Sequence, residues 1–217
     1  MKNTKEKKAN SNIGFWERFA KIYTIVQEKG NKELYAKLTE EIKPIINEKQ
    51  DVLELACGTG QFTFALAGNV HSWIATDFSP QMLKEAQKRE LAEYHKNIDF
   101  AVQDATALTF GEKTFDIVLI ANALHIMPNP EKALSEIKRV LKDDGILIAP
   151  TFIYAEKINR PKIWIMEKAG FQTFYKWDKE EYVRFIQSNG FCVLENKTIK
   201  GKMLPECFLT AKKKVCE

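Results

Sequence analysis

Long hydrophobic runs are what these 217 residues lack first. No apolar stretch approaches the roughly 18 residues that span a bilayer, so no membrane helix is expected. The start, Met1 to Lys8, carries charges with no apolar segment behind them. Residues 1–11 therefore read as a solvated basic tail rather than a secretory signal. Cysteine is scarce and scattered: Cys57, Cys192, Cys207 and Cys216, with no C-x-x-C spacing. That pattern excludes a disulfide framework, gives no metal-ligand spacing, and fits a reduced, cytoplasmic compartment. There are only three histidines, His71, His95 and His125, and no nucleophilic triad is visible around them. Charge of one sign is scarce as well. The net formal charge is +4, and much of it lies in Lys2 to Lys8 and Lys212 to Lys214. Both tails read as solubilising, and a nucleic-acid partner is disfavoured. The 45% hydrophobic content is that of an ordinary globular domain with a sizeable core.

What is present is organised around Asp51-Val-Leu-Glu-Leu-Ala-Cys-Gly-Thr-Gly-Gln-Phe-Thr63. Val52, Leu53 and Leu55 form a short apolar run, as in a strand buried on both faces. Gly58 and Gly60 break it, and a helical pattern resumes at Phe62. A strand, a glycine turn and a helix can hold a ligand against bare backbone. Dinucleotide sites want G-x-G-x-x-G, with a pyrophosphate on the helix end. Here the third glycine position is Thr63, and the negative charge of Glu54 opposes a pyrophosphate. Glu54 suits a ligand carrying an ammonium or sulfonium.

The string Glu54-Leu-Ala-Cys-Gly-Thr-Gly60 resembles motif I of the class I S-adenosylmethionine-dependent methyltransferases, usually E/D-x-G-x-G-x-G. It looks most like the small bacterial enzymes called methyltransferase type 11. Ala56 departs from the pattern by replacing the first glycine. The resemblance covers roughly residues 50–155 and extends more loosely to the C-terminus. It implies an α/β fold: a doubly wound, Rossmann-like, seven-stranded and mostly parallel sheet, helices on both faces, and an N-terminal helical lid. It also implies S-adenosylmethionine as cofactor, S-adenosylhomocysteine as product, and no metal.

In chain order, residues 12–47 carry helical patterning that would form the lid. Phe15, Trp16, Phe19, Ile22, Tyr23 and Val26 recur at helical spacing. Leu34, Leu38, Ile42, Ile45 and Ile46 continue a second helix up to and past Pro44. The core follows over residues 48–152. Asp77 ends the second strand about 17 residues beyond Gly60, near the spacing at which a βαβ unit sets an acid on a ribose. Ser79-Pro80 supplies the next helix with its own cap, which leaves Asp77 for a ligand. A third strand ends at Gln103-Asp104-Ala105. The fourth, Phe115–Ala121, runs into Asn122. A helix from Pro130 through Leu141 precedes a turn at Asp143-Asp-Gly145 and a fifth strand, Ile146–Phe152. Residues 153–177 are aromatic and read as a helical insertion over the active-site mouth. A last helix, Asp178–Ser188, and a strand pair close residues 178–217.

The resemblance assigns cofactor contacts to Glu54, Ala56, Cys57, Gly58 and Gly60. It assigns ribose to Asp77, an apolar setting for adenine to Phe78 and Met82, and the adenine amino group to Asp104 and Ala105. Asn122 would lie beside the methionine part, and Tyr23 would approach from the lid. Methyl transfer from a sulfonium is an in-line displacement that mainly needs positioning and exclusion of water. A base is needed only for a protonated nucleophile. His125 is the candidate, with a hydrogen-bonded structural role as the alternative. Base N-methyltransferases carry N/D-P-P-Y/F after strand four, whereas this chain has Ala121-Asn-Ala-Leu-His125. The expected acceptor is a small, partly apolar molecule, with a lipid substrate also open. Two rivals stand beside this reading: a non-catalytic cofactor-binding protein, and a nicotinamide-dependent oxidoreductase, which Thr63 and Glu54 disfavour.

Overall fold

The computed structural model describes residues 12, 14–21, 31–93, 96–154, 172–201 and 204–214. Residues 14–21 are helical. Tyr23 and most of the expected insertion, residues 155–171, lie outside the described residues. The elements that follow are α1 (Lys32–Ile42), β1 (Asp51–Leu55), α2 (Gln61–Leu66), β2 (Ser72–Asp77), α3 (Pro80–Glu93), β3 (Ile98–Val102) and β4 (Phe115–Ile120). Then come α4 (Pro130–Val140), β5 (Leu141–Ile148), β6 (Thr151–Phe152), α5 (Lys179–Ser188), β7 (Phe191–Ile199) and β8 (Glu206–Lys213).

All strands share one sheet. β3, β2, β1, β4 and β5 lie side by side and parallel. β8 enters antiparallel against β5 and β6, and β7 is its other neighbour. β5 and β6 follow one another along β8, so the eight segments occupy seven places in the sheet. This is the doubly wound, mostly parallel architecture that the alternation of strands and helices predicts.

Each face of the sheet is covered by helices. Leu34, Leu38 and Ile42 of α1, Phe62 and Leu66 of α2, and Leu83 of α3 pack on one face against Val52, Trp73, Ala75 and Phe208. Leu134 and Ile137 of α4, with Tyr182 and Ile186 of α5, pack on the other against Leu53, Val118 and Leu209. The strands are apolar on both faces because both are buried. α5 opens with a capping box: the Asp178 side chain accepts from the Glu181 N–H at 2.7 Å, and Glu181 accepts from the Asp178 N–H at 3.0 Å.

The structure corrects two boundaries. The helix of α1 does not continue past Pro44. It ends at Ile42 and tightens into a 3-10 turn, Lys43–Ile45, where the proline ring removes a donor. The fifth strand begins at Leu141, directly after α4, not at Ile146. Between its pairings with Phe115 and Ile117 the register shifts, so Lys142–Gly145 bulge out of the ladder. A Cβ on Gly145 would stand 3.0 Å from the Asp116 carbonyl, which explains the glycine there. The strand then breaks at Ala149-Pro150, where proline cannot donate to the ladder, and resumes as β6.

Candidate functional site

The sheet places β1 between β2 and β4, so the strand order proceeds outward in opposite directions from β1 while the strands stay parallel. A crevice opens at such a reversal, beyond the carboxyl ends of the strands. The protein has a cavity of about 400 Å³ there, within the size range of small-molecule sites.

The glycine turn forms one wall. Ala56, Gly58 and Gly60 all adopt positive φ, at 54°, 57° and 83°. Two hydrogen bonds stitch the turn to the end of β2. The Cys57 N–H donates to the Thr76 carbonyl at 2.9 Å, and the Gly58 N–H donates to Asp77 Oδ2 at 2.9 Å. The other oxygen of Asp77 accepts from the Ser79 N–H at 2.8 Å. Ser79 does cap α3, since its Oγ accepts from the Met82 N–H at 3.3 Å. Asp77 is therefore not left free for a ligand, as the cap argument expects; each oxygen already has one donor and keeps further acceptor capacity. Burial raises the Asp77 carboxyl above its usual range, against the lowering effect of the Ser79 and Gly58 N–H groups.

Glu54 lies beneath this turn, 2% exposed. Its Oε2 accepts from the Thr63 hydroxyl and from Trp73 Nε1, the latter at 2.9 Å. Burial pushes its carboxyl up to about 8, with both hydrogen bonds pulling the other way. Thr63, which spoils the dinucleotide pattern, is thus the residue that holds Glu54. Gly60 stands behind the wall. A Cβ there would come within 2.4 Å of the Phe64 ring, so its glycine identity serves the turn.

Ala56, Cys57, Gly58, Glu54, Asp77, Phe78, Met82, Asp104, Ala105 and Asn122 all line the cavity. Phe78 is half exposed at its mouth. Asp104 closes a turn with one oxygen, which accepts from the Thr106 N–H and hydroxyl, each at 2.8 Å. The side chain of Asn122 is engaged away from the cavity. Its Nδ2 donates to Glu206 at 2.8 Å, and its Oδ1 accepts from the Phe152 N–H at 3.0 Å.

His125 does not line the cavity. It is buried, 2% exposed, with Nδ1 3.1 Å from the Thr151 hydroxyl. Burial lowers its imidazole to about 4, so it is neutral at neutral pH.

The rest of the lining is largely apolar: Phe62 follows the glycine turn, and Trp16, Tyr35, Ile126 and Met127 come from segments distant from it. Asn12 also lines it and ties three segments together. Its Nδ2 donates to the carbonyls of Ile126 and Gln172 at 3.1 and 2.9 Å, and its Oδ1 accepts from the Gln172 N–H at 2.7 Å. Sequence reasoning missed Asn12, Tyr35 and Glu206. For Glu206 a signal existed: one acid at the head of an apolar strand, Glu206-Cys-Phe-Leu.

A doubly wound sheet with its glycine turn, buried acid and strand-two carboxylate around one crevice defines a class I, Rossmann-like methyltransferase fold. Residues 53–149 match the family described as "Methyltransferase domain", the type 11 group. A demethylmenaquinone methyltransferase of Clavibacter sepedonicus is 30% identical over 161 residues, which span 74% of this chain and 61% of that protein. A second, from Renibacterium salmoninarum, is 40% identical over 121 residues, spanning 51% and 49%. The chain thus spans less than two thirds of the length of these relatives. Among solved structures, a Thermotoga maritima methyltransferase superposes with a TM-score of 0.69 at 19% identity, covering 93% of this chain and 99% of that one. Among the described residues no helix is long and apolar enough to cross a membrane.

Proposed function

We propose that the protein transfers the methyl group of S-adenosylmethionine to a small apolar ring acceptor, of the chemical kind its demethylmenaquinone-methylating relatives use. The observation that carries this reading is the pairing of two unlike walls in one cavity. One wall is a backbone turn bonded to a strand-two carboxylate; the other is aromatic and aliphatic.

In this reading Asp77 takes the ribose hydroxyls on its remaining lone pairs. Phe78 and Met82 flank the adenine, and the free oxygen of Asp104 accepts from its amino group. The backbone of the turn and the end of β4 hold the methionine part, with Glu54 beneath it. The sulfonium methyl then faces Trp16, Tyr35, Ile126 and Met127. Attack by the acceptor and departure of the thioether occur along one line, so alignment and dryness carry the rate. Such a displacement needs no metal. We assign His125 a structural part, anchoring the turn after β4 through Thr151. Residues 12–47 act as a lid and 153–177 as a second cover, a division supported by Asn12 and Trp16 in the cavity wall. The enzyme works in the cytoplasm and meets a lipid-borne ring at the membrane surface.

The test is a thermal-shift comparison of S-adenosylmethionine, S-adenosylhomocysteine and NAD, followed by turnover of a short-chain demethylmenaquinol. A ligand at about 100 times its dissociation constant adds roughly 2.7 kcal/mol, a shift of several degrees. Stabilisation by the two adenosyl compounds and a methylated ring product are expected. Stabilisation by NAD alone would overturn the reading.

A further inference from the structure

Behind the cavity wall lies a buried acid that the proposed chemistry leaves unused. Glu206 opens β8 and is fully buried. Its Oε1 accepts from Asn122 Nδ2 at 2.8 Å. Its Oε2 is a buried side-chain oxygen with no hydrogen-bond partner among the described residues. Most buried polar atoms are satisfied, and one that is not calls for an explanation. Asn122 is the link to the site. It lines the cavity in a left-handed conformation, φ 54°, with its N–H donating to the Pro150 carbonyl at 2.9 Å. With its side-chain amide committed to Glu206 and Phe152, Asn122 fastens the end of β4 to β6 and β8.

Neutral Glu206 would leave an O–H without an acceptor, and ionised Glu206 would leave a charge with one donor. Neither state is satisfied among the described residues, so a charge arriving in the cavity can decide between them. The cation on neighbouring β7, Lys197, does not resolve this. It sits over the Phe208 ring and is shared by Glu41 and Glu195. His125, whose ring packs edge-on to Phe152, is held neutral by burial. Glu54 and Asp77, the acids on β1 and β2, are themselves raised by burial and bring no cation to it.

We infer that Glu206 is a positioning residue which, ionised behind Asn122, favours the cationic methyl donor over its neutral thioether product. This rests on the reading that the cavity takes S-adenosylmethionine. The donor carries one more positive charge than S-adenosylhomocysteine, and that charge sits at sulfur. A carboxylate one hydrogen bond behind the wall stabilises the donor and releases its hold once the methyl has left. Burial lifts the Glu206 carboxyl to about 7, opposed by the Asn122 hydrogen bond, so a nearby cation can tip it to the ionised form near neutral pH. At a separation on the order of 10 Å and an effective dielectric of about 20, one charge changes affinity by about tenfold.

The test is calorimetric binding of S-adenosylmethionine and S-adenosylhomocysteine to the wild type, Glu206→Gln and Glu206→Asp. Glu206→Gln should weaken the donor about tenfold and the product by less than about twofold, whereas Glu206→Asp should retain the preference. Equal changes for both ligands, or none, would overturn the inference, because a merely structural role cannot tell them apart. Should Glu206→Gln fail to fold, Glu206→Met removes the charge in a similar shape and is read the same way. A wild type that binds neither adenosyl compound breaks the cofactor reading instead, and the two failures stay distinct.

Discussion

The two walls of the cavity are built in opposite ways. The wall we assign to the cofactor comes from Glu54–Gly58, Asp77–Met82 and Asp104–Ala105, three strand ends within about fifty residues. Its pieces are joined by a backbone hydrogen bond, Cys57 to Thr76, and by the Gly58 N–H donating to the Asp77 carboxylate. The wall we assign to the acceptor comes from Asn12, Trp16, Tyr35 and the Ile126-Met127 turn, held together by side chains across 114 and 160 residues. In the first wall, chain order and sheet register fix most of the geometry, and the Asp77 carboxylate adds a side-chain tie between neighbouring strand ends. In the second, replacing one side chain can reshape the surface while the sheet stays as it is. Chemistry shared by a class of enzymes belongs on the first kind of wall, and acceptor choice on the second.

The largest expected effect tests whether the first wall carries a charge kept there against stability. Glu54 is buried with its carboxyl raised to about 8. Its folded-state value lies above its unfolded one, so its contribution is fully present below about pH 4.5 and is lost as pH rises to about 8. Glu54→Gln should therefore flatten the alkaline side of the stability curve. Ligand-free protein at pH 8 should gain up to about 3 kcal/mol, less whatever the unpaired amide costs. Affinity for S-adenosylmethionine should fall at the same time. Urea unfolding at pH 5 and pH 8, with calorimetry beside it, reads both. A variant that is less stable at pH 8 than the wild type would show Glu54 to be a satisfied structural group.

Asp77→Ala comes next. It removes the proposed ribose contacts and also frees the Gly58 and Ser79 N–H groups. Cofactor affinity should fall by about 1–3 kcal/mol, while the rate with bound cofactor changes less. Unchanged affinity in calorimetry would separate Asp77 from the ribose. The second wall should answer differently. Met127 is half-buried in the cavity lining. Met127→Ala should raise the KM of an apolar acceptor several-fold, about 1 kcal/mol, with the cofactor dissociation constant unchanged. If cofactor affinity moved as much as KM, the division into two walls would not hold.

The same contrast explains what the sequence disclosed. Glu54, Gly58, Gly60 and Asp77 fall at βαβ spacing, and that spacing is read along the chain. The parallel, doubly wound sheet followed from the alternation of strands and helices, while its strand order came only from the structure. β5 was misplaced because Asp143-Asp-Gly145 looks like a turn, and only packing of Leu141 in the core shows that the strand has already begun. Asn12 was silent because its partners lie far along the chain. Glu206 meets Asn122 across 84 residues, and no periodicity links such a pair. His125 was expected to face the acceptor from its place after β4, but one turn of 3-10 helix, Leu124–Ile126, rotates it into the core.

The smallest expected effect concerns Ala56, where the chain departs from the motif. Its φ of 54° is one that a Cβ disfavours by roughly 1–2 kcal/mol. Ala56→Gly removes that strain, but it adds freedom to the unfolded chain at a cost of about 0.5–1 kcal/mol. It also removes a methyl that packs against the core around Leu55 and Ala123, with a cost of similar size. The three terms nearly cancel, so stability should change by less than about 1 kcal/mol. Cofactor affinity should hold or rise slightly, because the turn is unchanged and the backbone is more open. Thermal unfolding with and without S-adenosylmethionine decides the matter. A loss beyond about 1 kcal/mol would mean that the Ala56 methyl packs more tightly than its strain costs. The backbone-built wall would then depend on a side chain after all, and the contrast between the two walls would be narrower than their hydrogen bonds suggest.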